Sequence, residues 1–557
     1  MESRINGTLR VLPKRSQDSL LFCESYGSAS PKSVDQWIAE LLTKDPKEQG
    51  QQLNNALDEL LIYKCKPEAY LLLADKILHA ATINIDLLTK GHLIHSVIFN
   101  TAQQDCFDIC ASIHHKIILM YRSIAESCTD KKQYKERSTA LHRAMTQSTD
   151  TILFYAQLYR SVANNIWLEQ HHLFQLAHQL KLTKFSQPSV STDKELCISD
   201  LYKRALLFSH SRTNKLNYED IRRIWLALAL WVPHIKLKKT SGIKTFFAVN
   251  LAADMGLYYA SPDPDKEIKN VFGLDCRVLT THLKKIKDDP EKTNSLPPLL
   301  INHLLSAWTQ ISKRQHSRTI STQSCKISFG LSAAHYLLSG QQDFNDIIEP
   351  FVNIETTEEQ VFDGEKKDVW AHAHDADRDK KPAPSSEKEA PVIEFSSKSN
   401  KDRGLRFQPM ECQIINSSDG GFSLKMALQH TQKVLLGDPV IVQLTEDSPW
   451  LLSVVRWVEV LSGNKLKLGV EKLSSQVETC AIKLTHKTQG TTLFQRGFLL
   501  PDQPEIGQHT SLILSSLTAK PGIKFELLHN GVLRRGQLDK CISNTNVYGE
   551  FQYRLFK

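Results

Sequence analysis

The spacing of apolar residues changes once along this chain, and a long charged stretch marks the change. Over residues 31–235 apolar side chains recur three and four positions apart, as in SVDQWIAELL, where Val34, Trp37, Ile38 and Leu41 line one helix face. Leu53, Leu57, Leu60 and Leu61 repeat the pattern one segment later. From residue 407 onward the spacing is two, in MECQII, GFSLKM, DPVIVQL, WLLSVVRWVEV and KLKLGVEKL, with turn residues such as SSDGG, EDSP and SGN between the runs. Residues 355–402 are dominated by Glu, Asp, Lys, Ser and Pro, and they carry too few large apolar side chains to offset the entropy of ordering. Neither one bundle nor one sheet accommodates this order. The expected class is α+β multidomain, with an N-terminal α-helical bundle or helix array followed by a C-terminal antiparallel β-barrel and a further β-rich tail.

The chain of 557 residues has room for several cores. We expect a flexible N-terminus over 1–30, a helical domain over 31–235 and a mixed α/β connecting region over 236–307. A barrel follows over 308–475, with a disordered insertion at about 343–405, and then a β-rich extension over 476–557. TDTILFYAQLYRSVANNIWLEQHHLFQLAHQL, free of Pro and Gly, reads as one long helical segment. KTFFAVNLA reads as a strand, RVLTTHLKKIK as a helix, LPPLLINHLLSAWTQISKRQHSR as a helix with a basic end, and CKISFGLSAAHYLL as a strand. Proteolysis is expected to begin within 355–402, where the backbone is most open.

Several chemistries are excluded by what is missing. The eleven cysteines include no CxxC pair, and Cys106 and Cys110, four apart on a helix, suit two buried small side chains better than a metal. His372, His374, Asp375 and Asp377 cluster in the charged stretch, where a solvated run is the better reading. His114, His115, His171, His172 and His178 fall in helical pattern and read as packing residues. No Ser-His-Asp set, phosphate loop or convincing carboxylate pair appears, so no enzymatic activity is expected. No apolar run is long enough to span a bilayer, and the N-terminus lacks a secretion signal, which places the expected location in the cytoplasm. The formal charge of +8 is spread among acidic residues and argues against a nucleic-acid partner.

The stretch IINSSDGGFSLKM carries Asn416-x-Ser418-x-x-Gly421 between two alternating runs, followed by Gly437-Asp438 opening DPVIVQL, Arg456-Trp457 and Gly469-Val470. Upstream, RQHSR places Arg314 and Arg318 four positions apart. In this order the features resemble the PilZ family of bacterial proteins that bind cyclic diguanylate, in a large form with an N-terminal helical region. The resemblance implies that Arg314, Arg318, Asn416, Ser418 and Gly421 bind the ligand. Arg403 and Arg406 are the competing arginines, closer to the strand but wrongly spaced. The chemistry agrees with the resemblance, because guanidinium offers a planar fork that matches phosphate oxygens and the O6 and N7 acceptors of guanine.

The function implied is a cytoplasmic receptor that binds cyclic diguanylate, needs no cofactor or metal, and signals to an unidentified protein partner through the helical region. The alternative is a non-catalytic scaffold whose barrel has lost the nucleotide. NxSxxG and RxxxR are also ordinary turn and helix-end sequences, which keeps the alternative open.

Overall fold

In a computed structural model, residues 9–556 are described apart from 95–96, 189–194, 240–246, 261–269, 288–295, 310–318, 353–406, 428–433, 462–464, 487–489, 503–509, 516–518 and 546. The chain divides into two compact units, Met1–Arg314 and Gln315–Lys557.

The first unit begins with α1 (Pro31–Leu41), α2 (Pro46–Ile62), α3 (Pro67–Leu88), α4 (Thr101–Ser127), α5 (Tyr134–Gln157) and α6 (Ile166–Gln179). After the short hairpin of β1 (Ser186–Gln187) and β2 (Leu196–Cys197) come α7 (Ile198–Ser209) and α8 (Tyr218–Trp231). Helix starts follow local chemistry. The Ser30 side chain accepts from Ser33 N–H with Pro31 at the first helical position, and Asn100 and Gln103 form a reciprocal capping box ahead of α4. The C-terminal half of α4, buried all round over Ile117–Ala125, makes this helix the centre of the unit, packed on α2, α3 and α5.

The expected single long helix is instead two. The chain leaves α5 at Gln157 and enters α6 at Ile166, with Tyr159 at φ +55° and Asn165 at φ +72°. Asn tolerates the left-handed region without needing Gly, so the absence of Gly and Pro was not a sufficient signal. The Asp254 carboxylate then accepts from Asn165 N–H at 2.6 Å and satisfies a free donor at the start of α6.

That contact comes from a segment expected to be a connector. β3 (Lys236–Lys239), β4 (Phe247–Asn250), β5 (Tyr258–Tyr259) and β6 (Val271–Asp275) form a sheet in the order β3-β6-β4-β5, followed by α9 (Arg277–Lys287) and α10 (Pro298–Thr309). Phe247, Val249, Leu274, Leu279, Leu283, Leu304 and Trp308 are buried in the same core as the helices. Residues 236–309 therefore complete the helical unit.

The second unit holds two closed sheets. β7 (Thr319–Ile320) and β8 (Ser324–Phe329) come first, then α11 (Leu331–Leu338) and α12 (Phe344–Val352). β9 (Met410–Ser418), β10 (Gly421–Ala427), β11 (Pro439–Gln443), β12 (Leu451–Leu461) and β13 (Lys465–Ser474) follow. Antiparallel pairing runs β8-β9-β10-β13-β12-β11 and back to β8, a six-stranded barrel, with β7 added along β9. β14 (Glu478–His486), β15 (Gly490–Thr491), β16 (Gln495–Leu500), β17 (Ser511–Ser515), β18 (Lys524–His529), β19 (Val532–Asn544) and β20 (Tyr548–Leu555) make the second. Its ring is β14-β16-β17-β20-β19-β18, closed by β14 with β18. Closure leaves neither ring an open edge.

Two expectations need correction here. CKISFGLSAAHYLL is a strand only to Phe329, because Gly330 at φ +91° turns the chain into α11. Residues 344–352, expected to belong to a disordered insertion, are instead helical, since Phe344, Ile348 and Phe351 place apolar side chains at helical spacing and pack α12 on Ala481, Phe494 and Leu528. The rest of that insertion, 353–406, lies outside the described residues.

Helix α11 lies between the barrels. Leu331, Ala334 and Leu337 pack against Ile441, Leu452 and Val454 of the first and Phe498, Leu500, Ile513 and Tyr548 of the second. This explains why PVIV reads as an unbroken apolar run and LLSVV is broken only by Ser453, since those strand segments are covered on both faces. A protease site engineered within 353–406 and cut to completion is expected to leave two fragments that co-elute on size exclusion, because β8 pairs with β9 and β11 across the cut. Separation in mild buffer would contradict this pairing.

Candidate ligand-binding site

The Asn416-x-Ser418-x-x-Gly421 stretch forms the tight hairpin between β9 and β10. Ser418 pairs with Gly421 across a two-residue turn of Asp419 and Gly420, and the Ser418 hydroxyl donates to the Gly421 carbonyl at 3.3 Å. Gly421 sits at φ +150°, and a Cβ there would collide with the Val470 carbonyl oxygen of β13. This glycine is therefore demanded by barrel closure, whatever else it does.

A bulge decides which way the polar residues face. Leu424 pairs with Ile414 but Ser423 pairs with Asn416, so Ile415 is the extra residue in β9. Met410, Cys412 and Ile414 point into the barrel, and without the bulge Asn416 and Ser418 would follow them. With it, they share the outer face with Gly421 and Ser423. Among the described residues none hydrogen-bonds the half-buried Asn416 side chain, and the buried Ser423 Oγ has no hydrogen-bond partner.

The register continues this face across the sheet. Ser423 lies opposite Gly469 of β13, and Gly469 opposite Trp457 of β12, where Arg456 is a second bulge residue. The row is thus Asn416, Ser423, Gly469, Trp457. A Cβ on Gly469 would fall inside the Trp457 indole, so the ring lies flat across that glycine. One position along, Lys425 pairs with Lys467, whose Nζ is 5.8 Å from the Trp457 ring, within cation–π range. Arg456 is held by Glu471 on the other side. An aromatic plane, two ammonium groups and short polar side chains on one outer face are suited to a flat anionic ligand.

Chain connectivity adds an approach to this face. β7 pairs along β9, with Thr319 opposite Ser417 and Ile320 opposite Asn416. Arg314 and Arg318, and equally Arg403 and Arg406, lie outside the described residues. Of the five expected site residues, Asn416, Ser418 and Gly421 are thus gathered on one hairpin. Ser423, Lys425, Lys467 and Trp457 were not singled out as ligand residues, although Ser423 and Lys425 follow from the same period of two that sets Phe422, Leu424 and Met426 inward.

Gly437 and Asp438 serve the barrel differently. Asp438 is fully buried, its Oδ2 accepts from Leu435 N–H at 2.6 Å, and burial pushes its carboxyl up to about 7. The folded chain then keeps this proton to higher pH than the unfolded chain, so the folded state is favoured at low pH and loses that advantage as pH rises from about 4 toward neutrality. Asp438→Asn is expected to raise stability at pH 8, with the gain vanishing near pH 4, in denaturant titrations at both values. An equal effect at both pH values would contradict the buried-carboxyl account. Cys106 and Cys110 are buried in the helical unit, and no metal-binding cluster occurs among the described residues. His114 is buried against Gln147, and His171 is buried between the Tyr202 hydroxyl and the Met255 carbonyl.

A closed barrel bearing this hairpin on its outer face is the arrangement of a PilZ domain. Three family models match consecutive parts of the chain, described as "Cyclic-di-GMP receptor FimW, N-terminal domain" over 32–241, "Cyclic-di-GMP receptor FimW, middle PilZ domain" over 246–478 and "FimW C-terminal beta-barrel domain" over 480–556. The cyclic-di-GMP receptor FimW of Pseudomonas aeruginosa is 24% identical over 579 aligned residues, spanning 98% of this chain and 93% of that protein. No solved structure matches the chain. The chain belongs to the PilZ-domain family, in the large form with a helical N-terminal domain and a second barrel. The middle match opens at residue 246, so the segment from Phe247 to Trp308 goes with the PilZ domain by sequence and with the helical core by packing.

Proposed function

We propose that this chain is a receptor for cyclic diguanylate, bound on the outer face of the first barrel, and that it passes the signal to a protein partner through the helical unit in the cytoplasm. The pairing of β7 with β9 carries the reading. Arg318 is bonded to Thr319, which holds their Cα atoms about 3.8 Å apart, and Thr319 lies opposite Ser417. Arg318 therefore directly precedes the residue that faces the NxSxxG strand, and Arg314 lies four residues before it in the sequence. The arginine forks then meet phosphate and guanine edges from the lead-in side, while Asn416 and Ser423 offer hydrogen bonds and Trp457 a stacking plane. The relative from Pseudomonas aeruginosa, described as a receptor for this ligand, supports the same assignment.

Arg314 and Arg318 also join the two compact units, whose boundary falls after Arg314. Clamping both arginines on a ligand would constrain the chain that leads back to α10, and a ligand shifts an equilibrium only by its difference in affinity between states. Titration calorimetry with cyclic diguanylate tests binding, and absence of heat at micromolar ligand would overturn it. Hydrogen exchange tests transmission. Protection is expected at Asn416–Lys425 and in α10 and the helices packed on it, and protection confined to the barrel would refute coupling.

One observation favours the scaffold reading. The Ser418 hydroxyl and Gly421 already have roles in the hairpin itself. Under that reading a variant with Arg314→Ala and Arg318→Ala would retain full cellular function.

A further inference from the structure

We propose that the exposed side of α9, continued by the edge strand β3, is a docking surface for an anionic phospholipid bilayer. Helix α9 has the sequence RVLTTHLKKIK, which contains no acidic residue. Leu279, Leu283 and Ile286 bury its apolar side in the core, leaving Lys284, Lys285 and Lys287 exposed. The His234 and His282 rings stack at 5.5 Å, which sets the start of β3 alongside the middle of α9. Lys236 and Lys238 therefore extend the same basic area, and both are exposed. Asp275, opposite Lys236 in the strand pairing, is engaged chiefly by the Arg277 guanidinium at 2.6 and 2.9 Å, with Lys236 a weaker charge neighbour.

Local reasons account for some of these residues singly. Lysines in a last turn complement the helix dipole, and lysines on an edge strand discourage sheet pairing. Neither reason reaches Leu299, which stands 83% exposed in the first turn of α10. The Cys276 thiol lies 3.8 Å from the Trp308 carbonyl, so α9 and α10 run antiparallel, and Leu299 is next to the lysine end of α9. Pro297 and Pro298 beside it are exposed as well. Exposed lysines on α9 and β3 with a protruding leucine at the start of α10 have the composition of an interfacial contact, in which ammonium groups meet lipid phosphates and the apolar tip enters the headgroup boundary, and the acidic Asp288, Asp289 and Glu291 that follow α9 in the sequence lie outside the described residues. An acidic peptide would use the lysines but leave the leucine without a role.

Sedimentation of the full chain with vesicles tests the assignment. Pelleting is expected with vesicles of equal parts phosphatidylglycerol and phosphatidylcholine, weakening as salt rises, and not with phosphatidylcholine alone. Each lysine near such a surface contributes about fivefold to partitioning, so Lys284→Gln, Lys285→Gln and Lys287→Gln together should reduce binding roughly a hundredfold. Leu299→Ser should reduce it several-fold without changing the salt dependence. The positions are exposed, and circular dichroism of the variants checks that the fold is kept. No pelleting with the anionic vesicles at low salt overturns the proposal. So does unchanged pelleting of the triple variant, or binding of soluble polyglutamate through these lysines in the absence of vesicle binding, which would assign the surface to an acidic protein.

Discussion

Arg314→Ala with Arg318→Ala is expected to weaken binding of cyclic diguanylate by two to four orders of magnitude in calorimetric titration. Each guanidinium in a charge-assisted, two-pronged contact with phosphate or guanine contributes about 1.5–3 kcal/mol, and every 1.4 kcal/mol is about tenfold in affinity. Lysine at either position keeps the charge and loses the fork, so each single Arg→Lys change should retain part of the affinity with a steeper response to salt. Arg403→Ala with Arg406→Ala is the matched control and should leave affinity within about threefold. The opposite pattern, with the second pair indispensable and the first dispensable, would move the ligand arginines to the lead-in of β9. The pairing of Thr319 with Ser417 argues for the first pattern, because it anchors the chain one residue after Arg318 at the NxSxxG strand.

The barrel strands were legible because they are short β-rich runs between turn residues, several alternating with a period of two, and the hairpin at Asp419-Gly420 lies where the turn chemistry puts it. The place of β8 was legible, since CKISFGL was expected to be a strand of the 308–475 barrel ahead of the charged stretch, and it pairs with β9 with Cys325 opposite Cys412 in the barrel interior. The helices of the first unit were legible in the same way, from caps and apolar stripes. Two features were not. The break between α5 and α6 depends on Asn165 adopting the left-handed region while its N–H donates to the carboxylate of Asp254, a partner 89 residues away. The orientation of Asn416 and Ser418 depends on the bulge at Ile415. Simple alternation from Met410 would have buried both, so their motif was readable as a pattern while their exposure was not. Trp457 shares that limitation, since only the register through Gly469 aligns it with Asn416.

Gly421→Ala is expected to destabilise the second unit by about 2–4 kcal/mol, the range for forcing a side chain into a positive φ with a backbone clash. The obstacle is the Val470 carbonyl of the neighbouring strand, which cannot withdraw without opening the β10–β13 ladder. Any loss of ligand binding in this variant would therefore arrive with a lower unfolding midpoint in denaturant. Ser418→Ala is the informative companion. Its hydroxyl makes one long hydrogen bond of 3.3 Å at the half-buried hairpin, so its removal should cost no more than about 1 kcal/mol of stability. If affinity falls tenfold or more while the midpoint barely moves, Ser418 contacts the ligand directly and the hairpin bond is secondary. If both fall together, the serine acts by holding the turn, and the polar contacts of the site reduce to Asn416, Ser423 and the arginines. A Gly421→Ala protein that unfolds at the same denaturant concentration as the parent would show that β10 and β13 can separate at this end, and the account of Gly421 as a closure residue would fail.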